Sequence, residues 1–111
     1  MEFQNNKLGK AMVVTVKGRM DGAQAPLLEA HCDQLIRQGE SNLVLDFTEL
    51  SYLCSAGLRA LLRVSRKVQP AGGRVILCGL NRLTREIVDL AGFNQLFPIC
   101  ATLEEVAGLV L

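Results

Sequence analysis

The sequence has no tryptophan and few other aromatic residues, with one tyrosine and four phenylalanines among 111 residues. A surface that stacks nucleic-acid bases needs such rings, so no base-stacking platform is expected. The formal net charge is only +1, which provides no long-range attraction to nucleic acid or to an acidic membrane. We therefore predict no nucleic-acid partner.

The sequence also has no apolar run long enough for a membrane span, and Met1 to Lys10 are too polar for a secretory signal. We therefore expect a cytoplasmic protein without direct membrane insertion. The four cysteines are singly spaced, and no two have the C-x-x-C spacing of many zinc and redox sites. Most of them are predicted to be buried as small apolar residues, and no metal or other cofactor is expected.

Recognisable catalytic motifs are missing as well. The chain has no G-x-S-x-G, no P-loop and no G-x-G-x-x-G, and its single histidine, His31, has no acidic residue spaced for a triad. Asp46 and Glu49 are close in sequence, but we expect them to be solvated groups at a strand end. The protein is therefore predicted not to be an enzyme. One alternative remains, in which Cys54 at a helix start acts as a nucleophile.

Strand-like and helix-like segments alternate along the chain. We predict strand between Phe3 and Val16, with a turn at Asn5 and Asn6 or near Gly9, and further strands at "NLVLDF", "GGRVILCG" and "FPIC". "GRMDGAQAP" is expected to interrupt the first strand region. This alternation predicts one α/β domain over residues 1–111, with a small, mixed and largely parallel sheet and helices packed against it.

Four amphipathic helices are predicted, and residues that favour helix starts and stops mark several of their ends: Pro26 and Arg37 for the first, Asn81 and Gly92 for the third, and Thr102 with Glu105 for the start of the fourth. In the third helix, apolar residues recur at helical spacing. We therefore expect Leu83, Ile87 and Leu90 to face the core.

The second helix lies in the stretch "LSYLCSAGLRALLRVSRK", and we expect it to begin between Ser55 and Gly57 and to end before Pro70. Its apolar residues, which should face the core, are Leu58, Leu61, Leu62 and Val68. The opposite side is predicted to be a basic stripe of Arg59, Arg63, Arg66 and Lys67. Ser55 should therefore lie beside Arg59, at the exposed start of this stripe.

Two interpretations of Ser55 follow from that position. In the first, its hydroxyl caps the helix, which contributes about 1 kcal/mol. In the second, the hydroxyl is phosphorylated, which adds roughly two negative charges and three acceptor oxygens where the helix dipole is positive. The sequence pattern permits both.

The order of "VKGRMD", "NLVLDFTELSYLCSAGLRALL", "GGRVILCGL" and "REIVDLAGF" resembles the STAS domain family, and in particular its anti-sigma factor antagonists, from about Val13 to Leu111. The resemblance implies a small sheet with packed helices. It also implies a regulatory binding module that works by partner switching. An anti-sigma factor with kinase activity phosphorylates the antagonist, and only the unphosphorylated form binds that factor and frees the sigma factor.

The resemblance also implies a site. Asp21 falls on the acidic end of the family's "G-x-[LM]-D" loop at the partner surface, and Gly57 on a glycine whose backbone comes close to the partner. Phosphorylated members usually have an acid where this chain has Cys54, and many have a second serine at the position of Ala56. The predicted phosphoacceptor is Ser55, and the predicted partner-binding residues are Asp21, Gly22, Cys54, Ala56, Gly57 and Arg59.

STAS domains also occur in membrane transport complexes. In that alternative, the same surface docks on a transporter ATPase subunit without phosphorylation. The sequence therefore leaves two partners open, a serine kinase-like anti-sigma factor or a transporter ATPase subunit.

Overall fold

The computed structural model describes residues 1–110, so the last residue of the predicted domain lies outside the described residues. Strands and helices alternate through this part of the chain, as expected. In order, the elements are β1 (Glu2–Leu8), β2 (Ala11–Met20), α1 (Ala25–Arg37), β3 (Asn42–Asp46), β4 (Leu50–Leu53), α2 (Ser55–Val68), β5 (Arg74–Cys78), α3 (Arg82–Leu90), β6 (Ile99–Cys100) and α4 (Leu103–Val110). Two short 3₁₀ turns lie at Gln69–Ala71 and Phe93–Gln95.

The strands form one sheet in the order β1-β2-β3-β5-β6, with β4 paired to β2 beyond the end of β3. Only β1 and β2 are antiparallel, and every other pair is parallel. The prediction of a mixed, largely parallel sheet is therefore confirmed. Within the described residues, no helix is long and apolar enough to cross a membrane.

The N-terminal hairpin differs from the prediction at both ends of β2. The turn is at Gly9, which has a φ of 59°, and Asn5 and Asn6 lie inside β1, so a turn at those two residues was wrong. Strand β2 also continues past Val16 to Met20. It does so because its last residues pair with β4, a strand in the segment that the sequence pattern treats as irregular.

Both faces of the sheet are covered. Val14 and Leu45 belong to the larger core, which α1 and α2 cover. On the opposite face, Val44 and Ile76 pack with Val106 of α4 in a smaller core. Three of the four cysteines lie in these cores, and Cys54 alone is half-buried. Burial raises the pKa of the Cys32 thiol and that of the Cys78 thiol to about 12, so neither is a reactive thiolate near neutral pH.

Helix α1 has the predicted bounds, with Pro26 in its first turn and its end at Arg37, whereas the inner face of α2 is shifted. Leu61 and Val68 are buried as expected, but Leu58 and Leu62 are only partly buried. Gly57, Ala60 and Val64 take part in the inner face instead. The small residues let the helix lie close to the sheet, a role that a search for leucines at helical spacing does not detect.

The predicted inner stripe of α3 was wrong. Thr84 and Val88 are buried, whereas Leu83 and Leu90 are 64% and 89% exposed. The side chain of Asn81 accepts the N–H of Thr84 at 2.8 Å and donates to the carbonyl oxygen of Leu50 at 3.2 Å. These two bonds fix the first turn of α3 with Thr84 inward, and the leucines consequently point outward.

Asp46 also differs from its prediction. It is only 8% exposed, and its Oδ1 accepts hydrogen bonds from the backbone N–H, at 3.0 Å, and the hydroxyl of Thr48. Glu49 is exposed, as expected, and lies 3.6 Å from Lys17. Asp46 therefore fixes the turn between β3 and β4 rather than lying in solvent.

The basic residues of α2 do not form one free stripe. Arg63 Nε and Lys67 Nζ each lie 2.7 Å from a carboxylate oxygen of Glu29 in α1, and Lys67 Nζ lies 2.8 Å from Asp33 Oδ1. These hydrogen bonds lower the pKa of Glu29 and raise that of Lys67. The ion pairs tie α2 to α1, so two of the four predicted basic residues help to fix the helix that carries Ser55.

Replacing Glu29 with glutamine should lower the free energy of unfolding by about 1 kcal/mol at neutral pH, since it removes a partly exposed ion-pair cluster. The lowered pKa of Glu29 means that its contribution is fully present above its ordinary pKa of 4.5 and is lost as the pH falls through the lower, folded-state value. Urea unfolding of both proteins from pH 3 to pH 7 measures this difference. Glu104→Gln, at an exposed acid of α4 that makes no ion pair within the described residues, is the control and should lower the free energy of unfolding less than Glu29→Gln at neutral pH. A Glu29→Gln effect that stayed constant down to pH 3 would contradict the assignment.

Candidate functional site

The predicted site residues meet where β2 and β4 end. The two strands are parallel, and Met20 pairs with Leu53. The backbone N–H of Cys54 donates to the carbonyl oxygen of Met20 at 3.0 Å. Asp21 and Cys54, the residues that follow the two strands, therefore leave the sheet side by side. The structure thus brings together two segments that are more than thirty residues apart in the sequence.

The loop after β2 is held by Asp21. Its Oδ1 accepts the backbone N–H groups of Ala23 and Gln24 at 3.1 and 3.0 Å, and its carbonyl oxygen accepts the N–H of Ala25 at 3.0 Å. Gly22 is an exposed residue of this turn, and a Cβ added there would meet no atom within 4 Å. The acid therefore shapes the loop, and Gly22 presents its backbone to solvent.

Ser55 is the first residue of α2, and Cys54 before it is the N-cap, with extended backbone at φ −95° and ψ 175°. Leu58 donates the first helical hydrogen bond to the carbonyl oxygen of Cys54 at 3.1 Å. The Cys54 side chain makes no cap hydrogen bond. The capping interpretation of Ser55 was therefore wrong, because Cys54 is the N-cap and, within the described residues, the exposed Ser55 accepts no N–H with its side chain.

The start of α2 carries positive charge. The first N–H groups of any helix lack intrahelical acceptors, and the first turn of α2 contains no acidic residue. Arg59 lies one turn along and is exposed, and no carboxylate of the described residues is within ion-pair distance of it. A helix start whose cap residue makes no side-chain hydrogen bond and whose first turn has no acid is a favourable place for an added anion.

Gly57 lies inside the domain rather than at its surface. A Cβ at this position would come within 2.6 Å of both Met20 Cγ and Leu53 Cδ1. The glycine is therefore required by packing within the domain, and its predicted close approach to a partner stays a prediction. Ala56, next to it, is partly buried and packs against the same core.

One feature near the site has no clear signal in the sequence. Arg19 of β2 and Tyr52 of β4 pair across the parallel strands, with the guanidinium 4.4 Å from the centre of the ring. Tyr52 is 36% exposed. The pair depends on the register between β2 and β4, which shifts between the Gly18–Leu50 and Arg19–Tyr52 pairs, so periodicity could not have predicted it.

This fold is that of a STAS domain. The STAS domain family model matches residues 2–106, and the chain belongs to that family. The chain is 32% identical, over 97% of its length and 93% of the relative's, to BtrV of Bordetella bronchiseptica, a protein described as a candidate anti-sigma factor antagonist.

Solved structures of anti-sigma factor antagonists are similar to this chain in fold. An anti-sigma factor antagonist of Mycobacterium paratuberculosis has a TM-score of 0.88 at 26% identity, covering 98% of this chain and 92% of that one. The anti-sigma factor antagonist SpoIIAA in its unphosphorylated form has a TM-score of 0.73 at 25% identity, covering 98% and 97%. SpoIIAA of Bacillus has also been solved in a phosphorylated form, which matches at a TM-score of 0.76 and 24% identity over 99% of this chain and 100% of that one.

Replacing Gly57 with alanine should destabilise the domain by about 1–3 kcal/mol, because the new methyl group overpacks the contact with Met20 and Leu53. Gly22→Ala is the matched control, since open space surrounds that position, and it should change stability by less than about 0.5 kcal/mol. Chemical denaturation of both variants measures the difference. Equal stabilities would mean that α2 does not lie this close to the end of β2.

Proposed function

We propose that the protein is a non-enzymatic anti-sigma factor antagonist that acts by partner switching, and that Ser55 is its phosphoacceptor. The observation that carries the proposal is the exposed Ser55 hydroxyl at the first position of α2, free of any capping role. The names of the relatives support the class of partner. The Ser55 surface, defined as Asp21, Gly22, Cys54, Ser55, Ala56 and Arg59, supports the place of contact.

Phosphorylation requires little of this chain. The Ser55 oxygen attacks the terminal phosphoryl group of a nucleoside triphosphate held by the kinase, its proton passes to a base on the kinase, and the nucleoside diphosphate leaves. The chain itself supplies only an accessible nucleophile. The lack of a side-chain cap matters here, because the hydroxyl breaks no helix hydrogen bond when it reacts.

The phosphate then has opposite effects on the domain and on a complex. In the free domain it lies at the positive end of α2, one turn from Arg59, and is stabilised or tolerated. In a complex, a partner packed over the helix start would have to bury a dianion. An uncompensated charge in an interface costs about 4 kcal/mol, which weakens binding roughly a thousandfold. Phosphorylation therefore acts as a switch on binding while the fold stays intact.

Cys54 occupies the position where phosphorylated family members usually have an acid. A neutral residue there leaves the helix start more positive, which favours attraction of an acidic partner surface or of the transferred phosphate. A kinase that recognises this antagonist should therefore bind the loop of Asp21 and Arg59 of α2. It should not require an acidic residue next to Ser55. The cognate kinase, not a kinase of another antagonist, is the reagent for the tests below.

Ser55→Ala should leave the free energy of unfolding within about 0.5 kcal/mol of wild type, because the hydroxyl makes no cap hydrogen bond. The same change should abolish phosphorylation by the cognate anti-sigma factor with ATP. Ser51→Ala is the matched control, since Ser51 is also exposed but donates to the carbonyl oxygen of Gly18, and it should still be phosphorylated. Mass spectrometry and urea unfolding provide the two readouts. Phosphate on Ser51 or elsewhere in the Ser55→Ala protein would refute the assignment.

Ser55→Asp should weaken binding to the same anti-sigma factor by at least about tenfold, since it places a charge in the predicted interface. Gln69→Glu adds the same charge at the far end of α2 and should leave the affinity unchanged. Isothermal titration calorimetry measures both. Unchanged affinity for the Ser55→Asp protein would reject the switch, and tight binding to a transporter ATPase subunit that ignores this charge would establish the transport-complex alternative instead.

A further inference from the structure

The stacked pair of Arg19 and Tyr52 is an exposed feature of the sheet that the two cores do not use. Arg19 is exposed, and neither core of the described residues includes it or Tyr52. The next residues of the two strands, Met20 and Leu53, are buried in the larger core. Because successive side chains of a strand point to opposite faces, Arg19 and Tyr52 point away from α1 and α2.

The stacked pair adjoins the Ser55 surface. Arg19 is two residues before Asp21, and Tyr52 is two residues before Cys54. Two residues of extended chain span about 7 Å, so the backbone of the pair lies about that far from Asp21 and Cys54. The strands keep the two segments side by side, since Arg19 pairs with Tyr52 in the parallel register. One partner can therefore contact the pair and the Ser55 surface together.

The size of a stable interface favours such an extension. A standard interface buries about 800 Å² on each partner and involves about 20–30 residues a side. The Ser55 surface has far fewer residues than that, so a partner docked over Ser55 also contacts the residues around it. Arginine and tyrosine are among the residue types that contribute most to binding at protein interfaces. The stacked pair places both types at the boundary of the Ser55 surface.

The guanidinium of Arg19 keeps its capacity for hydrogen bonds. Stacking uses the flat face of the group, whereas its N–H donors point outward in the plane. No carboxylate of the described residues lies within ion-pair distance of Arg19. Asp21, the nearest acid in sequence, accepts backbone N–H groups of its own loop with Oδ1. The donors of Arg19 are therefore available to an acceptor on another molecule.

The ring of Tyr52 limits the positions that this guanidinium can take. A free arginine side chain has several rotatable bonds, and ordering them on binding costs free energy. Stacking orders the group before a partner arrives, so less of this cost remains at the moment of binding. The aromatic ring therefore prepares the arginine for a contact in one direction.

We propose that Arg19 binds a carboxylate group of the anti-sigma factor, and that Tyr52 is the residue that positions it. The unpaired Arg59 and the positive start of α2 give the adjoining surface the same sign of charge, so an acidic partner surface is complementary to all of them. A planar guanidinium also matches a carboxylate in geometry. The inference rests on the proposed function, because it adds a contact to the same interface.

The test measures the affinity of the cognate anti-sigma factor for variants of the pair by isothermal titration calorimetry. Arg19→Gln should weaken binding at least about tenfold, since it removes the charge that meets the carboxylate. Tyr52→Leu should weaken it at least about threefold, whereas Tyr52→Phe keeps the ring and should retain the wild-type affinity. Because the ring acts through the arginine, the double variant of Arg19→Gln and Tyr52→Leu should bind about as weakly as Arg19→Gln alone.

Arg66→Gln is the matched control. Arg66 is an exposed arginine near the far end of α2, and no carboxylate of the described residues pairs with it either. Its loss should change the affinity by less than about twofold. Raising the salt concentration from about 50 to 500 mM should weaken binding of wild type more than binding of Arg19→Gln, because salt screens the contact that only wild type makes.

The proposal fails if Arg19→Gln binds as tightly as wild type. It also fails if Arg66→Gln weakens binding equally, since the net charge of the domain would then be the cause. An unchanged affinity of Tyr52→Leu would reject the positioning role of the ring. Unchanged binding of Arg19→Gln together with weakened binding of Ser55→Asp would reject this contact alone, whereas a wild type that does not bind the anti-sigma factor would reject the proposed function as well.

Discussion

The length of β2 is the constraint on which the site depends. Its first part pairs with β3, and its last residues, Gly18 to Met20, pair with β4 beyond the end of β3. This extension brings the chain after Leu53 back to the sheet, and the hydrogen bond from Cys54 to Met20 fixes the point where α2 begins. Without it, the loop of Asp21 and the helix that carries Ser55 would have no common support.

Most of the fold could be predicted from the sequence because the apolar runs that predict buried strands do form buried strands in the sheet. "NLVLDF" and "GGRVILCG" are continuous apolar runs, and a strand covered on both faces requires such a run. Prediction from sequence patterns failed where tertiary contacts decide whether a segment forms a strand. Strand β4 is four residues long, with a buried–exposed–exposed–buried pattern that has no regular period, so only its pairing with β2 identifies it as a strand.

The site was predicted in part. The place of Ser55 at the start of α2 follows from the helical pattern, and the loop of Asp21 follows from the family resemblance. The basic stripe was not predictable in detail, because Arg63 and Lys67 bind acids of α1 that lie more than thirty residues away in the sequence. Sequence periodicity gives the face of a helix, but it does not show which charges of that face are already paired.

Helix α3 is a second case in which contacts in the folded domain, and not sequence periodicity, decide which face of a helix is buried. An apolar stripe at helical spacing predicts a buried face, yet here Asn81 fixes the first turn and a second, shorter stripe of Thr84 and Val88 is buried instead. A polar residue can face the core when its backbone N–H is satisfied by a cap, and the leucines are then left outside. The exposed leucines of α3 are thus a consequence of how Asn81 fixes the first turn, and its charges are accounted for by the pairs of Arg82 with Glu86 and of Arg85 with Asp89.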